Sequence, residues 1–326
     1  MNQAARPALQ ITYDGLRPQQ ISEKWAAEAG GFEAYVFDGA GLAEEAGWQA
    51  LRAGLRTVSA LGVSELTCHF PTENADWVND DHAYHMLLRF CDAADAAGAR
   101  GVVLHANQFV QQEDWLRHDL SGTRGKVVER LAELDARLAG SRLWIGVENL
   151  PVIGAEGTDY DPVFVRPDDY LPLHALGSSR IGATWDICHW AVTYATDRAV
   201  AQLQRRPPED DALALPTVPV KHIHFSSYTG LALPFTAGRC HEGVPPQDGD
   251  PDQEVLAAMV RAALAASDGQ ARVVLEVQEE DYENRVNCWR TRDWLLGRAL
   301  PAAARSVGTD IRPAAGADTR VEGRRP

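Results

Sequence analysis

Residues 180–206 read RIGATWDICHWAVTYATDRAVAQLQRR, and the period of the pattern changes partway through. The opening RIGATWDI (180–187) is a short apolar and β-branched run, the mark of a buried strand. From Trp190 onward the apolar residues recur at helical spacing. One strand followed by one helix is a building block, and the fold depends on how often it recurs. Toward the N-terminus the same change follows LQITY (9–13), FEAYVF (32–37), ELTCHF (65–70), GVVLHA (101–106) and RLWIGVEN (142–149). The helical segments after them are ISEKWAAEAG, WQALRAGLRTVSAL, HAYHMLLRFCDAADAAG, GKVVERLAELDARLAG and DDYLPLHALG. Toward the C-terminus VKHIHFSS (220–227) leads through a long loop to DQEVLAAMVRAALAA, and ARVVLEVQ (271–278) leads to NRVNCWRTRDWLLGRAL.

Strands alternating with helices imply right-handed crossovers and a parallel sheet. Eight units in about 300 residues fit a closed (β/α)8 TIM barrel, an α/β fold, better than an open doubly wound sheet. No GxGxxG turn follows an early strand to favour a dinucleotide fold. No linker divides the chain, so residues 1–300 are expected to form one barrel. Residues 301–326 lose periodicity and are expected to be a loosely ordered tail.

The chain has 326 residues, 45% of them hydrophobic, and a formal net charge of −15. That balance opposes a general electrostatic grip on nucleic acids or anionic membranes. Five cysteines without a CxxC pair suggest neither a disulfide framework nor a metal knuckle. The N-terminus has no apolar signal segment, and no run approaches the roughly 18 apolar residues of a membrane span. A cytoplasmic protein is the expectation.

In a parallel barrel the C-terminal ends of the strands converge on one mouth, where sites are built. Six consecutive strands end in an imidazole or a carboxylate: His69, His105, Glu148, Asp186 with nearby His189, His224, and Glu276. No Lys or Arg stands beside them in sequence to neutralise the carboxylates. Buried carboxylates without a cation are strongly disfavoured, and a divalent ion is the simplest remedy. Mixed His and carboxylate ligands suit Zn, Mn, Co or Fe, with Mg also admissible. His222 shares the face of His224 one layer deeper and reads as structural. His82, His85, His118 and His174 read as surface or core groups, and Cys68, Cys188 and Cys240 as packing or loop residues.

The stretches VVLHANQ, WIGVENLP, GATWDICHWAVTYATD, VKHIHFSS and VVLEVQEE together resemble the xylose isomerase-like TIM-barrel superfamily, from about residue 65 to 280. That group holds sugar isomerases and epimerases, inosose dehydratases and type IV apurinic endonucleases. The resemblance implies that Glu148, Asp186, His224 and Glu276 form the shared metal quartet. It also implies that His69 and His105, with a bridging Glu148, match an additional metal position of the endonucleases. His189 then matches a third-metal ligand in that class, or a substrate-contacting histidine in ketose epimerases. One to three divalent ions per chain are expected.

The departures favour a small substrate. AGRCHEGVPPQDGD carries Arg239 where the endonucleases carry a ligand Asp, although His241 is present. FPTENADW lacks the side chains that would enter a DNA stack, and DGAGLAEEAG after the second strand is acidic. The expectation is a metal-dependent sugar or sugar phosphate isomerase or epimerase, with Glu148 and Glu276 exchanging the proton. His189, Arg239 and His241 are expected to contact the substrate under a lid formed by 227–251. The alternative is an apurinic endonuclease-like phosphodiesterase with two or three metals, or a metal-holding barrel that only binds. The acidic loop after the second strand would also suit a homo-oligomer interface.

Overall fold

Each of the eight sequence units yields a strand in the computed structural model, which describes residues 9–106, 117–152, 163–232, 240–267 and 271–300. The strands are β1 (Leu9–Asp14), β2 (Gly31–Tyr35), β3 (Glu65–His69), β4 (Gly101–Leu104) and β5 (Trp144–Glu148). They continue with β6 (Ile181–Asp186), β7 (Val220–Phe225) and, after a hairpin of β8 (Ser227–Thr229) and β9 (His241–Val244), β10 (Val273–Leu275). The barrel closes in the order β1-β10-β7-β6-β5-β4-β3-β2, with every neighbour parallel. This is the expected single (β/α)8 barrel.

Alternation sorts each strand's residues between two buried faces. Trp185 points to the outer layer, where its ring lies 5.5 Å from that of Trp190 on α5 (Ile187–Gln204). Its neighbours Thr184 and Asp186 therefore face the barrel axis. The same rule stacks an upper interior layer (His69, Glu148, Asp186, His224) on a lower one (Thr67, Gly146, Thr184, His222). Gly146 shows how tight the lower layer is, since a Cβ there would meet Thr184 Oγ1 at 2.1 Å.

Four boundaries differ from the sequence reading. The strand expected at 180–187 stops at Asp186, which becomes the N-cap of α5 because its carboxylate accepts the N–H of His189. The helix expected after β5 is a 3-10 segment, Pro167–Leu176, with Pro172 inside it. Proline has no N–H to give and opposes a regular α-helix there. The last strand shrinks to three residues. The long loop expected as a lid contains the β8–β9 hairpin, and its residues 233–239 lie outside the described residues. So does the tail from 301 onward.

Candidate metal centre

Glu148 ends β5 on the barrel axis with a side chain 1% exposed, and its two oxygens face different partners. Oε2 lies 3.1 Å from His69 Nε2 and 3.2 Å from His105 Nε2. Oε1 lies 3.2 Å from His224 Nδ1. His224 Nδ1 is also 3.0 Å from Glu276 Oε2, and Glu276 is the outermost member, with 31% of its side chain exposed. Parallel register sets Asp186 of β6 directly beside His224 of β7. Ligand atoms of Glu148, Asp186, His224 and Glu276 all lie within 4.8 Å of one another. His69, Glu148 and His224 form a second such group.

The two oxygens of Asp186 have different tasks. Oδ1 caps α5, accepting from His189 N at 2.7 Å, while Oδ2 is buried with no hydrogen-bond partner. Asn149 holds this strand end from both sides: its amide donates to Asp186 O at 2.9 Å and its carbonyl accepts from Asp186 N at 2.7 Å. Burial pushes the Asp186 carboxyl up to about 7, with the charges of Glu148 and Glu276 adding to the effect and His189 opposing it. Burial also works against ionised Glu148, but His224 and His105 hold it well below the usual carboxylate range. His224 is buried too, yet Glu148, Glu276 and Glu33 drive it well above the ordinary histidine value.

Among the described residues, every ion-pair partner of Glu148, Asp186 and Glu276 is a histidine. Glu148, Asp186 and Glu276 thus gather at His224, with His69, His105 and His189 around them, and among the described residues Asp186 Oδ2 has no hydrogen-bond partner. A divalent cation fits this donor set, because it would engage that oxygen and offset the burial and the neighbouring carboxylate charges that raise Asp186.

Backbone carbonyls orient two of the rings. His69 Nδ1 lies 2.8 Å from Phe70 O and His189 Nδ1 lies 2.7 Å from Asn149 O. A carbonyl only accepts, so both rings carry the Nδ1 proton and turn Nε2 to the site. The Nε2 of His189 then meets Glu242 Oε2 at 3.5 Å. His105 differs, with Nδ1 buried and unpartnered among the described residues.

The six strand-end residues therefore gather as the sequence implied, and His189 joins them from the first turn of α5. His241 does not: it is exposed on β9, and its neighbour Glu242 turns to the site instead. Arg239 lies outside the described residues. The sequence reading missed Glu242, Asn149 and Glu33. Glu33 was visible only as a carboxylate within the apolar run FEAYVF, with no strand-end position to mark it.

The family model described as xylose isomerase-like TIM barrel matches residues 24–294. Among solved structures, a D-tagatose 3-epimerase-like protein aligns over 89% of this chain and 96% of its own, at 14% identity and a TM-score of 0.60. D-Allulose 3-epimerase from Methylomonas sp., solved with D-allulose, aligns over 90% and 98%, at 12% identity and a TM-score of 0.56. The 3-keto-D-glucoside 4-epimerase of E. coli aligns over 90% and 98%, at 16% identity and a TM-score of 0.53. At these identities the likeness establishes the fold. A comparison with curated proteins finds no match.

Proposed function

Because the chain belongs to the xylose isomerase-like TIM-barrel family, we propose that it is a divalent-metal-dependent isomerase or epimerase of a small sugar or sugar derivative. The observation that carries this reading is the convergence of Glu148, Asp186, Glu276 and His224 Nδ1 at the barrel mouth. A divalent cation held there would polarise a substrate carbonyl and acidify the neighbouring C–H. The remaining work falls to side chains. Glu148 and Glu276 reach His224 Nδ1 from β5 and from the end of β10, two strands on opposite sides of β7. One carboxylate in its basic form removes the proton next to the carbonyl, and the other in its acid form delivers one to the opposite face. His189 gives its Nδ1 proton to Asn149 O, and although burial opposes it, Asp186, Glu242 and Glu148 hold the ring well above the ordinary histidine value; in that cationic form Nε2 has a proton to donate to an oxygen that gains negative charge. Neighbours that are epimerases of ketoses and of a keto-glucoside make ketoses the first substrates to try.

The test is solvent exchange. The protein, loaded with Mn or Co, is incubated in deuterium oxide with a panel of ketoses and their phosphates. Deuterium should enter at the carbon beside the carbonyl, and Glu148→Gln or Glu276→Gln should slow that entry by at least about a thousandfold. No exchange across the panel would overturn the reading.

One observation favours the phosphodiesterase alternative. His69 and His105 both approach Glu148 Oε2, the oxygen turned away from His224, which provides ligands for a second ion. Cleavage of abasic-site DNA by the loaded protein, without sugar turnover, would establish it.

A further inference from the structure

Beneath the upper layer lies a carboxylate that the proposed chemistry does not use. Glu33, in the middle of β2, is fully buried, as are His222 and His224. Its Oε2 accepts from Thr67 Oγ1 at 2.8 Å and lies 3.1 Å from His222 Nε2. Its Oε1 lies 3.0 Å from His224 Nε2, an ion-pair contact outside hydrogen-bond geometry. Gln10 completes the layer, its amide donating to Thr67 Oγ1 at 3.0 Å and to Phe32 O at 2.9 Å. With its oxygen accepting from Gln10, the Thr67 hydroxyl has its proton free for Glu33, so this carboxylate is a pure acceptor inside the barrel.

His224 therefore stands between carboxylates of opposite consequence. On its Nδ1 side are Glu148 and Glu276, which must share a cation if one is to bind. On its Nε2 side, among the described residues, the ion-pair partner is Glu33. Without Glu33, the ring's single proton in the neutral form would favour Nδ1, between two carboxylates, and block the nitrogen that faces the site. The charge of a carboxylate 3.0 Å from Nε2 draws the proton inward and leaves the Nδ1 lone pair to the cation. For His69 and His189 a backbone carbonyl does this work. Nε2 of His224 points across the barrel axis, where the acceptor within reach is the side chain of Glu33.

We propose that Glu33 is a positioning residue of the metal centre: from the layer below, it fixes His224 with the proton on Nε2 and Nδ1 presented to the ion. His222 and Thr67 hold Glu33 in place. This inference rests on the metal-centre reading above, and its test separates the two.

The full chain is stripped of metal and titrated with Zn and with Co against a chromophoric chelator, as wild type and as Glu33→Gln. The glutamine is isosteric and removes the charge. Wild type should bind, and the variant should bind about 10- to 100-fold more weakly while the apoproteins melt with the same cooperativity. A second measurement needs no variant: histidine 15N NMR of the Zn-loaded wild type should show His224 with its proton on Nε2. Equal affinity in Glu33→Gln, or the His224 proton on Nδ1 with the ion at Nε2, would overturn the role of Glu33 and leave the metal centre standing. Failure of the wild type to bind either ion would overturn both.

Discussion

At the residue scale the number of ions turns on how Glu148 divides its oxygens. The quartet on the Oε1 side accounts for one ion, whereas His69 and His105 on the Oε2 side offer a place for another. If the chain works as a single-metal isomerase or epimerase, elemental analysis should give one ion per chain, unchanged in His69→Ala. Two ions, with one lost in His69→Ala, would shift the reading toward phosphodiester chemistry. The burial of His69, 1% exposed, also makes it a packing residue, so the count should be paired with a melting curve of the variant. The tautomers argue in the same direction: a ring that gives Nδ1–H to Phe70 O keeps Nε2 open to a metal as readily as to a carboxylate.

At the scale of elements, α5 matters most because both of its ends are anchored. Its N-terminus is capped by Asp186, so displacement of the helix would move His189 and the candidate ligand Asp186 together. Near its C-terminal end Asp197 receives Arg206 Nη2 at 2.7 Å, Glu209 N at 2.7 Å and Asp210 N at 3.2 Å, tying the helix to the connection that enters β7. Burial works against the Asp197 charge, but Arg206 and those two N–H groups hold its carboxyl below the usual range. A depressed folded value means stability that is present above the unfolded value of about 3.9 and is lost as pH falls through the folded one. Asp197→Asn should therefore cost about 1–3 kcal/mol at pH 7, and the gap between variant and wild type should begin to narrow below about pH 4 and close once the pH is below the folded value. Denaturant titrations in steps from pH 7 down to pH 2 check this, and a gap that stays constant across that range would assign Asp197 a purely steric role.

At the scale of the whole molecule, the barrel places three carboxylates around one point, a cost that folding bears unless a cation is present. Metal should therefore act as a stabilising ligand of the native state. At 100 times its dissociation constant, Mn or Co should add about 2.7 kcal/mol, raising Tm by roughly 5 °C, with EDTA reversing the gain. A Tm that ignores metal would argue that the carboxylates are satisfied by other means. No helix among the described residues is long and apolar enough to cross a membrane. The acidic chain, with its net charge of −15, provides little general attraction for a phosphate backbone.

The order of strands, their parallel pairing and the gathering of six strand-end histidines and carboxylates at one mouth were legible in the sequence, because period and strand-end position are local properties. The rule that parallel strands open at one mouth marked the six strand-end residues, and the family resemblance singled out Glu148, Asp186, His224 and Glu276 among them. What the sequence could not convey is depth and reach across the barrel. Glu33 and His222 are 189 positions apart yet face each other in the lower layer, since closing the barrel brings β2 and β7 to opposite walls of one narrow interior. The exchange of His241 for Glu242 likewise depends on the twist of the β8–β9 hairpin, set by pairing with Ser227–Thr229 rather than by local residue type. Asp186 is both the cap of α5 and a candidate ligand. Only the folded chain divides it, giving Oδ1 to the helix and leaving Oδ2 buried and free, because the end of β6 and the start of α5 meet at that one residue.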